Sequence, residues 1–379
     1  MMIFSSSWLR PKRQVLIRWG LVLLVMAGIG LGTGEAACGL SLTSPQTVAY
    51  LPPGNAITDG RALLRYSLPI DNDDIRDIQA TLEGLSEWLR AKRWGPVQKD
   101  IAKVERMLSR NRERILDDIP DGKRAAAISY LDDIQAQLLP VREAIDNRDR
   151  ETIWLKRSAM LNDVGRIEEL MVTEFPYEVP EEYSRLPQLK GRATVEFKTS
   201  KGTMQAVIDG FSAPVTGGNF IDLVQRGFYD NMEFIRAEDY YVLQTGDPEG
   251  PEEGFIDPKT GKYRAIPLEI LVKGDEAPIY GATLESLGRF LDEPVLPFSA
   301  YGTLGMARPN TDPNGGSSQF FFFLFEPELT PAGLNLLDGR YTVFGYVVDN
   351  KEVLEQLGQG DKIESVRVVA GADKLVEPA

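Results

Sequence analysis

The sequence contains no histidine among its 379 residues and only one cysteine, Cys38. The absence of histidine excludes Ser-His-Asp and Cys-His nucleophile systems and the usual zinc sites, and it removes the commonest general base. A single cysteine excludes a disulfide bond within the chain. The formal net charge of −14 argues against a nucleic-acid partner, because phosphate binding requires a basic face. We therefore expect no metal and no cofactor.

Long apolar runs are scarce, and the run near the N-terminus, Trp19–Gly32, is shorter than the ~20 residues that a membrane span usually needs. Basic residues precede it, and the small residues Ala36 and Ala37 follow it. This pattern predicts a secretory signal peptide over residues 1–37, cleaved after one of the two alanines, and hence an exported protein. The alternatives are an uncleaved anchor helix and a lipoprotein with Cys38 lipidated.

The next part of the chain predicts helices. Residues 38–70 carry proline and glycine turn signals and suggest an extended lead-in, with a short helix near Arg61–Tyr66. Over residues 71–175 these breakers become sparse and apolar residues recur with helical spacing in four stripes. We predict an antiparallel four-helix bundle, in which Pro140 kinks or divides the third helix. The stripes begin with Ile75, Val97, Ile128 and Ile153.

The second half predicts short strands. Residues 176–190 are rich in proline and charge, and we interpret them as a linker. Residues 191–379 show several alternating segments and few helices, which favours a closed barrel or a sandwich. The long stretch 248–300 is expected to carry small elements of its own or a function. The predicted elements are strands at 193–197, 203–208, 233–244, 304–306, 319–325 and 343–348 and a helix at 214–226.

Two segments indicate a binding site. Residues 234–247 (FIRAEDYYVLQTGD) place Arg236 and Gln244 eight residues apart, so both side chains can share one face of strand structure. Residues 317–325 (SSQFFFFLF) supply an apolar surface. A guanidinium group beside an apolar surface suits the binding of a proline-containing peptide. The proline ring can pack on the apolar surface, and the guanidinium can donate a hydrogen bond to the peptide amide.

The second half resembles the cyclophilins, through five blocks that occur in the family's order. The resemblance covers about half of the chain and implies an eight-stranded antiparallel barrel closed by two helices, with X–Pro isomerisation as the reaction. Together with the helical half, it suggests the thylakoid-lumen cyclophilins, in which a bundle similar to an oxygen-evolving-complex subunit precedes the barrel. The blocks are APVTGGNF (213–220), GFYDNMEFIRAEDYYVLQTGD (227–247), GTLGMAR (302–308), NGGSSQFFF (314–322) and LDGRYTVFGYVV (337–348).

The same resemblance implies the roles of individual residues. Arg236 matches the catalytic arginine that donates to the prolyl amide, and Gln244 matches the glutamine that holds the substrate backbone. Phe321 matches the aromatic base of the proline pocket. The implied substrate-binding set is Tyr241, Val242, Ala307, Phe321, Leu336, Leu337 and Tyr341.

The sequence also departs from the family pattern. Leu336 occupies the position of a frequent tryptophan, and Tyr341 replaces a pocket histidine. Glu238 and Asp239 stand where the family is apolar, and either could pair with Arg236 and hold it away from substrate. We therefore expect activity that is weak or selective.

Three functions remain open at this point. The first is a peptidyl-prolyl cis-trans isomerase exported to the thylakoid lumen or the periplasm and acting on proline-containing segments of client proteins. The second is a non-catalytic assembly factor of the same fold, in which the helical bundle docks on or masks the groove. The third is a structural subunit of a photosynthetic complex. By resemblance, the client would be a lumenal loop of a photosystem II subunit, and membrane contact would come only from an uncleaved signal segment.

Overall fold

A computed structural model gives the structure of the protein and describes residues 57–238, 240–325 and 335–378. The predicted signal peptide and Cys38 lie outside the described residues. Within these ranges, no helix combines the length and the apolar character needed to cross a bilayer. The helical and strand-rich parts of the described chain belong to one compact unit.

Helices occupy the first part of the described chain, and side-chain caps mark where three of them begin. Asp59 Oδ1 accepts a hydrogen bond of 2.9 Å from the Arg61 amide. Asn72 Oδ1 accepts a hydrogen bond of 2.9 Å from the Ile75 amide, and Asp149 Oδ1 accepts one of 3.1 Å from the Thr152 amide. Each cap satisfies an amide that has no partner within its helix. The helices are α1 (Gly60–Tyr66), α2 (Asp73–Arg90), α3 (Trp94–Asp117), α4 (Asp121–Asp146) and α5 (Arg150–Met171).

The four long helices enclose one hydrophobic core, because α2 packs against α3 and α5, and α4 packs against the same two helices. The predicted stripes form this core with one exception. Ile128 is 38% exposed, whereas its neighbour Ala127 is fully buried, so the buried stripe of α4 begins at Ala127 and then continues through the predicted positions. Of the two outcomes expected at Pro140, a kink or a division, the division is wrong, since α4 continues through this residue. Burial of Leu138 and Val141 on either side offsets the lost backbone hydrogen bond.

Fifteen strands follow in the described residues, and nine of them form one antiparallel sheet in the order β4-β14-β2-β3-β13-β11-β12-β6-β5. The bounds of these strands are β2 Arg192–Thr199, β3 Gly202–Asp209, β4 Met232–Glu233, β5 Arg236–Glu238, β6 Val242–Thr245, β11 Thr303–Met306, β12 Phe320–Phe323, β13 Val343–Asp349 and β14 Lys362–Ala370. The remaining strands form two-residue pairs: β1 Gln188–Leu189 with β15 Leu375–Val376, β7 Ile256–Asp257 with β8 Lys262–Tyr263, and β9 Glu269–Ile270 with β10 Ile279–Tyr280.

The sheet differs from the expected eight strands because residues 233–244 do not form one strand. Tyr240 adopts a φ of 62°, so the chain turns there and β5 folds back on β6. β4 pairs instead with β14, at the opposite end of the sheet order. The sheet therefore curls, since only two residues separate β4 from β5. The described residues of this part contain one α-helix, α6 (Pro214–Gln225), where two helices were expected.

The stretch 248–300 carries small elements, as expected, and one of its residues caps a helix. Both carboxylate oxygens of Glu269 accept hydrogen bonds from the α6 N-terminus, 3.0 Å from the Val215 amide and 2.6 Å from the Thr216 amide. Glu269 is 1% exposed, and burial raises its pKa to about 7. Glu269, which belongs to the stretch 248–300, thus caps the N-terminus of α6, and α6 packs against the interior core of the sheet.

The segment 176–190, predicted as a linker, packs against the strand-rich part. Tyr177 Oη donates a hydrogen bond of 2.6 Å to the Phe211 carbonyl, and residues Glu181–Tyr183 form one turn of 3-10 helix. The Tyr183 ring stacks on Tyr280 at 5.3 Å between ring centroids. These contacts fix the path of the chain between the helices and the sheet.

Arg192 connects the helices to the sheet. Its Nε and Nη2 donate to Asp209 Oδ2 at 2.8 and 2.7 Å, and Nη2 also donates to Ser67 Oγ at 2.9 Å and to the Leu64 carbonyl. Its Nη1 lies 3.2 Å from Glu169 on α5. The Arg192 side chain is 10% exposed and that of Asp209 is fully buried. One buried cation therefore joins α1, α5, β2 and β3.

Replacement of this cation tests its contribution to stability. Arg192→Met should lower the free energy of unfolding by about 3–5 kcal/mol, because a buried carboxylate loses its charge partner. The matched control is Arg61→Met, which breaks an exposed pair with Asp349 and should cost less than about 1 kcal/mol. Urea unfolding of the two variants measures the difference. Equal losses would contradict the assigned role of Arg192.

The pH dependence of stability should report on Glu168, which is fully buried on α5 and lies 3.1 Å from Arg76. Burial raises its pKa from 4.5 to about 7, and its Oε2 has no hydrogen-bond partner among the described residues. Because the folded carboxyl binds its proton more tightly than the unfolded one, its contribution to stability is present at low pH and is lost as the pH rises to about 7. Glu168→Gln should therefore gain about 2–3 kcal/mol relative to the wild type between pH 5 and pH 8. Urea unfolding at each pH measures this difference, and a constant difference would contradict the prediction.

Candidate active site

The register of two short strands places Arg236 beside Gln244. β5 pairs with β6 so that Arg236 lies directly opposite Gln244, and Glu238 lies opposite Val242. Side chains of directly paired residues project to the same face of a sheet. The predicted proximity of the two polar groups thus arises from a cross-strand pair.

The Arg236 guanidinium has a carboxylate partner on its own strand. Its Nε donates to Glu238 Oε1 at 2.7 Å, and its Nη2 donates to the same oxygen. Two residues along a strand share a face, so the pairing follows from the strand geometry. The side chains are 52% and 48% exposed, and ion pairs of this exposure are worth about 0–1 kcal/mol. Glu238 therefore holds Arg236 weakly. Asp239, the other predicted competitor, lies outside the described residues.

A chain of amide groups orients Gln244. Its Nε2 donates to Gln319 Oε1 at 2.8 Å, and Gln319 Nε2 donates in turn to Asp247 Oδ1 and to the Glu253 carbonyl, both at 2.9 Å. Gln319 is not among the predicted site residues, although it stands in the block NGGSSQFFF that carries the family resemblance. Gln319 therefore fixes the orientation of the Gln244 side-chain amide beside the groove.

These side chains border a cavity of about 460 Å³. The structure brings together every predicted site residue except Leu336, which is 81% exposed and does not line the cavity. All lining residues come from the strand-rich part of the described chain, and none comes from the helices. The lining consists of Arg236, Tyr241, Val242, Gln244, Ala307, Arg308, Pro309, Asn310, Phe321, Leu337 and Tyr341.

Phe321 forms the floor of this cavity. Along β12, Phe320 and Phe322 pack into the interior core, while Phe321 and Phe323 belong to a second cluster on the opposite face. The Phe321 ring stacks on Phe298 with centroids 5.8 Å apart and meets the edge of Tyr341 at 5.7 Å. The floor is thus a rigid aromatic surface of the size that a pyrrolidine ring can cover.

Asp338 positions the wall formed by Leu337 and Tyr341. Its two carboxylate oxygens accept hydrogen bonds from the amides of Phe298, at 2.7 Å, and Asn335, at 3.2 Å. Desolvation raises the pKa of Asp338 to about 6. This carboxylate therefore ties the wall to the segment that supports the floor.

The arrangement suits binding and electrostatic stabilisation. The lining contains donors from two guanidinium groups and from the side-chain amides of Gln244 and Asn310, an apolar floor, and no carboxylate or thiol. Among the described residues, no cluster of three or more potential metal ligands is present. Its chemistry is that of a site that holds an apolar ring and donates hydrogen bonds to an amide beside it.

Gly305 makes room for the floor, which yields a stability prediction. A Cβ at this position would lie 2.5 Å from Phe321 Cζ and 2.9 Å from Phe298 Cε1. Gly305→Ala should therefore lower the free energy of unfolding by about 1–3 kcal/mol through overpacking. Gly84→Ala is the control, since open space surrounds this position on α2 and alanine should stabilise the helix by about 0.5–1 kcal/mol. Thermal or urea unfolding measures the change in the free energy of unfolding for both variants. A Gly305→Ala variant more stable than the wild type would contradict the packing described.

Comparison with known proteins assigns both parts of the chain. The family described as cyclophilin type peptidyl-prolyl cis-trans isomerase/CLD matches residues 194–376. The family described as peptidyl-prolyl cis-trans isomerase CYP38-like, PsbQ-like domain, matches residues 59–172. The two matches therefore cover the sheet with its cavity and the helices, respectively.

Individual relatives share both parts. A putative thylakoid lumen peptidyl-prolyl cis-trans isomerase of Synechocystis sp. is 52% identical, and the match covers 95% of each chain. Peptidyl-prolyl cis-trans isomerase CYP38, chloroplastic, of Arabidopsis thaliana is 45% identical over 88% of this chain and 78% of that protein. CYP37, chloroplastic, of the same plant is 30% identical over 89% of this chain and 75% of that protein. The chain belongs to the cyclophilin-type peptidyl-prolyl cis-trans isomerase family, with a PsbQ-like helical domain before its cyclophilin domain.

Proposed function

We propose that this protein catalyses cis-trans isomerisation of X–Pro peptide bonds in client proteins, with Arg236 and Gln244 as the catalytic residues. The observation that carries the proposal is the cavity in which these two groups border the Phe321 floor. The reaction needs no nucleophile, because only rotation about the amide bond is required. It is slow without a catalyst, since loss of amide resonance creates a barrier of about 18–20 kcal/mol.

The geometry suggests how the barrier falls. The proline ring rests on Phe321, with Tyr241, Val242, Ala307, Leu337 and Tyr341 as walls. As the amide twists, the prolyl nitrogen regains a lone pair, and a guanidinium N–H of Arg236 donates to it. The second N–H of Gln244 Nε2, which the hydrogen bond to Gln319 leaves free, donates to a backbone carbonyl of the substrate while the preceding residue rotates. Interactions that form only in the twisted state accelerate the reaction.

The contact between Arg236 and Glu238 favours modest or selective turnover. The guanidinium must exchange one partner for the substrate, and a weak exposed pair makes this exchange inexpensive. The same contact supports a second candidate, a cyclophilin-fold chaperone that binds proline segments without isomerising them. Masking of the groove by the helical part has no support in the described residues, because no helix lines the cavity.

The finer features of the fold belong to the same proposal. We take the curled sheet as a closed barrel, because β4 and β5 stand at opposite ends of the sheet order yet are two residues apart in the chain. We take α2–α5 as an antiparallel four-helix bundle, because each helix packs on its neighbours in the chain and the first packs on the last.

We further propose that the protein acts in the thylakoid lumen on proline-containing loops of membrane subunits of photosystem II. The support comes from relatives named as thylakoid lumen and chloroplastic proteins, from the PsbQ-like match, and from the basic and apolar N-terminal segment. Export to a periplasm is the alternative location for a protein with such a segment.

Turnover of proline tetrapeptides by the full chain tests the catalytic assignment. Arg236→Ala should lower kcat/KM about 100-fold, the loss typical of removing one donor to a transition state. Glu238→Gln should raise kcat/KM about two- to fivefold, because it frees the guanidinium from a weak pair. The matched control, Arg112→Ala on α3, removes an exposed pair with Asp132 and should change nothing.

Exchange spectroscopy by NMR measures these rates without a coupling enzyme. If the wild type and Arg236→Ala both leave the isomerisation rate at its uncatalysed background value, the enzymatic assignment is wrong. Binding of the same peptides without turnover would then favour the chaperone.

A further inference from the structure

A second guanidinium, that of Arg308, stands at the junction of two neighbouring cavities. Arg308 follows β11 and lines both the cavity above Phe321 and an adjoining one of about 240 Å³. The two cavities share Gln244, Ala307, Arg308 and Pro309. A peptide whose proline occupies the first cavity and whose chain extends into the second must pass this guanidinium.

Backbone carbonyls hold Arg308 in place. Its Nε and Nη2 donate to the Arg340 carbonyl at 3.0 and 2.7 Å, and its Nη1 donates to the Pro309 carbonyl at 2.9 Å. The guanidinium carbon lies 5.1 Å from the centroid of the Tyr341 ring. A guanidinium has five N–H donors, so two remain for a ligand in a fixed orientation.

The charge of Arg308 lacks a close counterion in the described part of the chain. No carboxylate there lies within 4.0 Å, in contrast to Arg236, which Glu238 engages twice. Burial is the main influence on its pKa and lowers it, whereas Tyr341 and Asp312 only oppose this effect. Arginine stays protonated in proteins, so a fixed and partly desolvated cation faces the groove.

Such a site favours a carboxylate. Asp312, the nearest acid in the same loop, uses Oδ1 to accept from the Asn314 amide at 2.8 Å. Charge-assisted bonds from a preorganised guanidinium to a carboxylate are stronger than neutral ones and recognise its planar shape. In a protein of net charge −14, this local cation also offsets the general repulsion of an acidic ligand and that of Glu253, which lines the adjoining cavity.

We propose that Arg308 is a specificity-determining residue that selects substrates with an acidic side chain close to the isomerised proline. The inference rests on the proposed isomerase function and adds the class of sequence on which it acts. Arg236 then donates to the rotating amide, while Arg308 binds an acidic side chain close to it.

Paired peptides that differ only in charge test this selection. Glu and Gln are nearly isosteric, so they differ chiefly in charge. Four pairs of peptides are made, one for each of the two positions before proline and the two positions after it. Within a pair, the chosen position is Glu in one peptide and Gln in the other. At one of these positions the full-length wild type should show a Glu:Gln ratio in kcat/KM of about three- to tenfold. The ratio should fall towards one in high salt, because screening weakens exposed charge pairs.

Variants at position 308 should change this ratio, which is an internal measure that a general loss of activity does not affect. Arg308→Gln should bring the ratio to about one, and Arg308→Lys should keep part of it, because charge remains but the fork is lost. The control is Arg340→Gln. The Arg340 side chain pairs with Glu285 at 2.8 Å and only its carbonyl contacts Arg308, so the ratio should persist.

The outcomes separate this inference from the isomerase assignment. Turnover of the Gln peptides with a ratio of one at every position, or a ratio that survives Arg308→Gln, overturns the selection by Arg308 and leaves the isomerase intact. If no peptide is turned over, the isomerase assignment fails, and the same ratio is then measured in Kd by calorimetry. A Kd ratio of one, or no binding of any peptide, likewise overturns the inference.

Discussion

The alternation of four consecutive phenylalanines on β12 is the constraint on which the rest of the site depends. Successive side chains of a strand point to opposite faces, so Phe320 and Phe322 join the interior core while Phe321 and Phe323 join the second cluster on the opposite face. A shift by one residue would exchange floor and core. The pairing of β12 with β6 sets Phe321 directly opposite Gln244, so the same register places the polar rim beside the apolar floor.

The rim combines two arginines whose surroundings differ. Arg236 stands on a short edge strand, about half exposed and loosely paired to Glu238, and can reorient at little cost. Arg308 is held by three hydrogen bonds to carbonyls and by an aromatic ring. An adaptable donor suits a reacting amide that changes geometry, whereas a fixed donor suits recognition of a group that does not change.

Local patterns predicted much of this structure, and long-range contacts determined the rest. The helix α6 and the β2–β3 hairpin follow from apolar periodicity, and ordered motifs located Arg236, Gln244 and Phe321. The break at Tyr240 was missed because a non-glycine residue with positive φ leaves no clear sequence signal. Arg308 and Gln319 were missed because their roles depend on partners such as the Arg340 carbonyl and Asp247. The strand β14 was also missed, since irregularities in its pairing with β2, between Ile363 and Ser365 and between Val368 and Ala370, interrupt its alternation.

The small β1–β15 sheet has a consequence for the connectivity of the protein. Gln188 pairs with Val376, and Leu189 pairs with Leu375, so the strand-rich part begins and ends at the same place. The Lys190 amide extends this contact with a 2.9 Å hydrogen bond to the Lys374 carbonyl. A few added residues would therefore suffice to splice these ends into a circular permutant.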